Sequence, residues 1–410
     1  MPFFVGLDWA SREHAVCVVD ERGRVTSQFS VKHGESGLGD LVMRLKKLTA
    51  RGELRIAIER PSGLLVDTLV DAGFAVVPIN PAVIKACRAR YSAAMAKSDP
   101  GDAYVLADVL RTDGHRFRTL TPLSDQTKAL RALTRLRDDL VAQRVALANQ
   151  LRSLLDEFWP GPTKLFTDLD CATSLAFIAQ YPTPRSAEGM TEKQMRLFLH
   201  GNSYTGRRTA AELVERLRAA PRPVAGELEC EAKGQCARAL VVVLQSMVSQ
   251  IASLTTSCEK ALESHDDAEV VTPLFREGRL CAALLLAELG DDRGRFVSAD
   301  HLAAEGGVAP VTRASGKHRA VSFRFACNKR LRGALTTLAD TTRHTMPWAR
   351  AIYDRARERG CKYAHAIRIL ARAWCRVLWH VWHQRVAYDP NKHRAARELA
   401  QATANLEAAA

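Results

Sequence analysis

Over the first hundred residues short apolar runs alternate with amphipathic stretches. FFVGLDWA, HAVCVVD and VTSQFSVKH read as strands, and Glu21, Arg22 and Gly23 between the second and third read as a hairpin turn. GLGDLVMRLKKL carries apolar residues at helical spacing, and LRIAIER is a buried strand. SGLLVDTLVDAG is a helix closing at Gly73, AVVPIN a further strand and PAVIKACRARY a helix. A last helix opens in the tetrapeptide DPGD, with Asp99 as N-cap, Pro100 at the first helical position and Asp102 at the third. The order predicted is βββαβαβα.

Residues 124–159 then place Leu133, Leu140, Leu147 and Leu154 at intervals of seven, flanked by Leu130, Leu136 and Leu151. After a spacer rich in Pro and Gly, residues 160–234, a second long helix alternates spacings of four and three through Leu240, Leu244, Met247, Ile251, Leu254, Cys258 and Ala261. Such seams pair either as an antiparallel hairpin within one chain or across a dimer. The spacer holds two helical pieces, TEKQMRLFLHG and TAAELVERLRAA. Beyond it come LFREGRLCAALLLAELGD, a Gly-rich stretch EGGVAPVTRASGKHR, and helices over residues 329–343 and 362–386. Four regions are therefore expected: 1–122 as an α/β domain, 123–271 as a coiled-coil region with the insert 160–234, 272–398 as a mostly helical C-terminal domain, and 399–410 as a tail.

Composition changes this picture in one place. The chain of 410 residues carries a net charge of +14, and residues 306–398 hold 20 Lys and Arg against 5 Asp and Glu. The whole basic excess thus lies in the last quarter, where Trp348, Tyr353, Tyr363, Trp374, Trp379 and Trp382 are interleaved with it. Cations with aromatics favour a nucleic-acid partner, which needs its phosphates neutralised and its bases stacked. Ten cysteines without one CxxC pair support neither a zinc ribbon nor a disulfide framework. The start MPFFVGLDWASREH lacks the order of a signal peptide, and no uncharged apolar run of about 18 residues is evident, so a cytoplasmic protein without a membrane span is expected.

The candidate chemistry lies in four acids. Asp8 stands where the first strand runs out, and Glu59 ends the buried strand LRIAIE. In a three-strand meander followed by a crossover, the first and fourth strands lie side by side with these ends adjacent. Asp99 and Asp102 would join them at that edge, and four crowded carboxylates call for divalent cations to offset their repulsion. The element order is that of the ribonuclease H and RuvC-like fold.

These residues carry a resemblance. VGLDWASREHAVCVVD, IAIERPSG, DAGFAVVPINP, KSDPGDAYVLAD, GVAPVTRASGKHR and YDPNKH, in this order, are similar to stretches of the DEDD transposases of the insertion-sequence one-ten family, relatives of the Piv DNA invertase. The resemblance implies that Asp8, Glu59, Asp99 and Asp102 bind Mg²⁺ or Mn²⁺ in a RuvC-like domain, and that Ser315 is the nucleophile of a C-terminal transposase domain. It further implies recombination of DNA guided by a structured noncoding RNA. From its neighbours alone Ser315, before Gly316, is a turn residue. Arg313, Lys317 and Arg319 surround it and could clamp a phosphodiester, while Lys329, Arg330 and Arg332 cluster at a helix start as candidate phosphate contacts. The heptads suggest a homo-oligomer, a dimer or tetramer. Where relatives often carry a Pro-Gly-Ile-Gly-like loop, FREGRLCA keeps only Gly278.

Two other classes compete. A structure-selective endonuclease needs the four acids but has no use for Ser315, and a non-catalytic nucleic-acid binder needs neither. Sugar-kinase-like ATPases share the element order, but they follow the first-strand Asp with Gly, and here Trp9 follows Asp8.

Overall fold

The structure is a computed structural model that describes residues 2–50, 53–91, 98–221, 225–275, 278–316 and 318–389. The chain divides into two compact units, Met1–Pro122 and Leu123–Ala410.

The first unit is built on a five-stranded sheet of order β3-β2-β1-β4-β5. Its strands are β1 (Phe3–Asp8), β2 (Glu13–Val19), β3 (Val25–Lys32), β4 (Leu54–Ile58) and β5 (Ala75–Pro78). The first three pair antiparallel, and β1, β4 and β5 run parallel. The helices are α1 (Glu35–Thr49), α2 (Leu64–Asp71), α3 (Pro81–Cys87) and α4 (Asp99–Asp113). Alternation along each strand sorts the two faces. Val5, Leu7, Ile56 and Ile58 meet Leu41 and Leu45 of α1 and Leu69 of α2. Ala57 and Val77 turn the other way, toward Leu106 and Leu110 of α4. The mixed α/β expectation and its element order are those observed.

One detail of α4 differs. Its N-cap is Ser98, whose hydroxyl accepts the Gly101 N–H at 3.2 Å, so Asp99 is the first helical residue and Pro100 the second. Ser and Asp cap equally well, and here the residue outside the helix took the role.

The second unit begins with α5 (Asp125–Phe158), followed by α6 (Pro162–Leu165), α7 (Ala172–Gln180), α8 (Glu192–Gly201), α9 (Ala210–Ala219) and α10 (Glu227–Glu263). Then come α11 (Ala268–Val271), α12 (Arg279–Leu289), α13 (Ala299–Glu305), the hairpin β6 (Val311–Ser315) and β7 (His318–Ser322), α14 (Lys329–Thr345), α15 (Pro347–Glu358) and α16 (Tyr363–Gln384). The long helices α5 and α10 pack antiparallel within the chain: Leu130 shares a core with Cys258 and Leu262, and Leu155 shares one with Val241. Two cores thus form at opposite ends of one helical hairpin. At one end the insert of α6–α9 buries Phe158, Phe177 and Phe198, and at the other α11–α16 bury Leu286, Leu335, Trp374 and Trp382.

Two expectations are corrected here. The second long helix starts at Glu227, inside the spacer, because Gly234 is a close-contact residue rather than a break: a Cβ there would fall 2.6 Å from Thr183. The tryptophans of the basic quarter are mostly core, with Trp348, Trp374 and Trp382 buried. Their N–H groups donate to Tyr388, to Thr342 Oγ1 and to the Gly290 carbonyl at 2.8–2.9 Å. Separately, α10 holds an 18-residue window of mean hydropathy 1.5, which by length and composition alone would suffice to cross a bilayer, but one such helix does not overturn the expectation of a chain without a membrane span. The buried positions of α10 keep Leu244, Ile251 and Cys258 of the expected seam, but Val241 and Leu262 are buried in place of their neighbours Leu240 and Ala261, which are half-buried.

A polar lock fixes the start of α14. Glu288, 3% exposed, takes both ends of the Arg135 guanidinium and the Asn328 amide, and Asn328 Oδ1 in turn caps α14 through the N–H groups of Arg330 and Leu331. Burial pushes the Glu288 carboxyl up, but these hydrogen bonds outweigh it and hold it below its ordinary value.

Candidate active site

Leu7 pairs with Ile58 in the parallel register of β1 and β4, so Asp8 and Glu59 follow at adjacent strand ends. Side chains alternate, which puts Asp8 on the face of Gly6 and Glu59 on the face of Ala57. Both are on the side covered by α4. A Cβ at Gly6 would fall 1.8 Å from the Ala103 carbonyl oxygen and 2.5 Å from the Ala107 nitrogen, so the helix lies directly on the strand. At the start of β4, Arg55 donates to the carbonyl of Gly114, just past the helix end. The helix therefore runs against the strands, and its N-terminal turn, which carries Asp99 and Asp102, lies toward the end where Asp8 and Glu59 stand.

The four acids are not equivalent. Asp8 and Glu59 are half-buried, Asp99 is exposed, and Asp102 is 5% exposed. Both Asp102 oxygens are taken by Arg88, at 2.8 and 2.7 Å, in a bidentate pair. Among the described residues no three His, Cys, Asp or Glu side chains lie close enough to hold one ion together. The sheet thus brings Asp8 and Glu59 to one place and α4 brings the other two to the same end, while Arg88 holds Asp102 as an ion pair. A second buried carboxylate of α4, Asp108, has a structural role: it accepts from Arg111 at 2.7 Å and from the Tyr91 hydroxyl at 2.8 Å.

Around this strand end lie residues the sequence did not single out. Trp9, 36% exposed, carries the Arg60 guanidinium 4.4 Å above its ring, so each of the two strand-end acids is followed by one half of a stacked pair. His14, fully buried, takes the Ala10 N–H at Nδ1 at 3.4 Å and therefore carries its proton on Nε2, which lies 2.9 Å from His33 Nδ1. Burial and then the neighbouring His33 charge hold His14 below its ordinary pKa. Arg88 left a trace in the basic run KACRARY, but nothing in that run says which acid it meets.

In the second unit Ser315 ends β6 opposite His318 of β7, and the turn between them uses Gly316 at φ 55°. Arg313, Ser315 and Arg319 are all exposed, and Lys317 lies outside the described residues. Lys329 is exposed at the first position of α14. Arg330 reaches Asp139 at 2.6 Å, and Arg332 donates to the Arg324 carbonyl at 2.6 Å with its guanidinium over Phe323. The basic helix start is thus partly engaged within the unit.

Comparison with known proteins gives matches at both ends of the chain. The IS110-type DEDD transposase model matches residues 5–160, and the model of the IS116/IS110/IS902 transposase family matches residues 269–354. The mini-circle putative transposase for IS117 of Streptomyces coelicolor is 35% identical over 413 residues, which cover 98% of each chain. The insertion element IS900 uncharacterized 42 kDa protein of Mycobacterium paratuberculosis is 27% identical over 96% of this chain and 99% of its own. Among solved structures, T. thermophilus RuvC in complex with a Holliday junction substrate covers 29% of this chain and 100% of its own, at 16% identity and a TM-score of 0.23.

Proposed function

We propose, for a chain that belongs to the IS110 family of insertion-sequence transposases, that DNA strands are cut and rejoined through Ser315 together with the carboxylates at the end of the N-terminal sheet. The observation that carries this reading is the Leu7↔Ile58 register, which sets Asp8 and Glu59 side by side on the face that α4 covers. All four candidate donors are carboxylates, the hard oxygen ligands that Mg²⁺ and Mn²⁺ take. Asp8 and Glu59 would hold such an ion, with Asp99 and Asp102 completing the set once Arg88 releases Asp102. A divalent ion bound there supplies Lewis-acid stabilisation of charge on phosphate oxygens.

The remaining chemistry falls to the chain's own groups. Ser315 Oγ loses its proton and attacks the phosphorus, the departing strand oxygen takes up a proton, and a serine–phosphate ester forms. Arg313 and Arg319 on the same hairpin offer positive charge to the pentacoordinate phosphate. The ester keeps the energy of the phosphodiester, so reversal by the new strand end rejoins DNA without ATP. A structured noncoding RNA that pairs with donor and target DNA selects the sites, and the basic C-terminal quarter supplies charge for both polymers. Protomers assemble as a dimer or tetramer.

The test is Ser315→Ala on labelled element-end DNA. The variant is expected to form no protease-sensitive protein–DNA adduct and no recombinant, while keeping its fold, since the residue is exposed at a hairpin end. Undiminished cutting by Ser315→Ala would instead mark a structure-selective endonuclease and remove Ser315 from the reaction.

A further inference from the structure

The tip of the β6–β7 hairpin has been read as the place of strand attack, but its base opens onto a separate feature. A groove of about 470 Å³ runs between the loop preceding β6, the segment following β7 and one face of α16. His365, Arg368, Arg372 and Arg376 line it from α16, spaced three or four apart and hence in one row. Arg324 faces them from the hairpin side.

This row has little negative charge to answer it. Arg372 reaches Asp300 at 3.2 Å, but that carboxylate is 73% exposed. Among the described residues no carboxylate pairs with Arg324, Arg368 or Arg376. Arg332 and Arg368 both lay their guanidinium groups over the one ring of Phe323, at 4.5 and 4.7 Å, so two cations share a single aromatic ring. The buried Nε of Arg332 and that of Arg372 have no hydrogen-bond partner. Crowded, underpaired guanidinium groups are expensive in a protein unless an anion completes them.

The spacing of the row says which anion. Successive arginines four residues apart on a helix are separated by about 6 Å along its axis, close to the separation of neighbouring phosphates along an extended strand. Beside the groove Phe325 is 78% exposed, its ring set edge-on to Phe323 with centroids 4.9 Å apart. An exposed aromatic next to a phosphate row offers a stacking surface to a base, and only an unpaired base presents its face. We infer that this groove binds an unpaired DNA strand, with Arg368, Arg372 and Arg376 on successive phosphates and Phe325 under a base, and that the strand leads along the hairpin to Ser315. From Val311 to Ser315 the strand spans about 13 Å, so the groove grips DNA a short distance from the serine. The inference rests on the DNA-recombining reading, to which it adds the state of the substrate strand.

The experiment measures binding without cleavage, in EDTA, so that it stands apart from the catalytic assignment. Full-length protein is titrated against fluorescent oligonucleotides of about 12 nucleotides: single-stranded DNA, the same DNA as duplex, and single-stranded RNA. Arg376, which is exposed, is changed in Arg376→Glu, and Phe325→Ala removes the stacking surface without touching a buried residue. Arg376→Glu is expected to weaken single-stranded DNA binding about tenfold and to lower the salt slope by roughly one contact. Phe325→Ala is expected to weaken it several-fold with the salt slope and duplex binding unchanged. Equal loss on duplex and single strand, loss confined to RNA, or no loss with either variant would each overturn the inference. The Ser315 assignment is untouched by any of these results, because no strand is cut.

Discussion

Asp8→Asn lowers strand cleavage by about 10³-fold or more and leaves the fold intact. The magnitude follows from the role: removing one group that stabilises developing charge on a transferring phosphate typically costs about 10²–10³ in rate, and the loss of an ion-holding carboxylate removes the ion's contribution as well. The fold survives because the change relieves repulsion at an end where Asp8 and Glu59 are adjacent. Asp102→Asn is the less clean experiment, since Asp102 is buried and bidentate with Arg88, and weakening that pair perturbs packing together with chemistry. Cleavage by Asp8→Asn at the wild-type rate, measured on labelled DNA in Mg²⁺, would return Asp8 to the edge of an ordinary sheet.

Gly6→Val destabilises the N-terminal unit by about 3 kcal/mol or more. Its Cβ would fall 1.8 Å from a backbone oxygen and 2.5 Å from a backbone nitrogen of α4, and backbone inside a helix cannot swing aside as a side-chain tip can. The helix has to lift from the strand, opening the contacts of Ala103 and Ala107 with Ala15, Cys17 and Val19. Because α4 also carries Asp99 and Asp102, cleavage falls with stability. Gly39→Ala serves as the matching control: it lies exposed within α1 with open space at its Cβ, and it stabilises by about 0.5–1 kcal/mol through helix propensity. Urea unfolding separates the two. A Gly6→Val protein with wild-type stability would show that α4 does not lie on β1 as described.

Gly6 illustrates what could be read from the chain in advance and what could not. The strands of the first unit were legible because each apolar run is bounded by turn residues, and Asp8 and Glu59 stood out because each terminates such a run. That α4 would bring Asp99 and Asp102 to that edge was expected from the element order, but its close seating on β1 was not legible, since it depends on which glycine lacks a side chain at a crossing point. Neither was the Arg88–Asp102 pair, which joins two elements through a distance no periodicity encodes. In the second unit the heptads gave the two long helices but left their pairing open, and the structure uses them within one chain. The tryptophans misled in the other direction: they sit among cations in sequence, yet α16 is amphipathic, and Trp374 and Trp382 fall on its buried face. Neither α13 nor α15 was predicted: the seven residues of α13 are too few to show a period, whereas the twelve of α15 bury only Trp348, Ala349 and Ala356 amid arginines that read as a solvated stretch.

The claim on which the rest depends is that the carboxylates at the sheet end hold a divalent ion. It is tested most directly by Mn²⁺ binding, read by electron paramagnetic resonance on the full-length protein without DNA, in the wild type, in Asp8→Asn with Glu59→Gln, and in Arg88→Ala. The account predicts that the double variant loses affinity by about tenfold or more, whereas Arg88→Ala binds more tightly because the Asp102 carboxylate is no longer held by a guanidinium. Mn²⁺ bound by the double variant as tightly as by the wild type would contradict it.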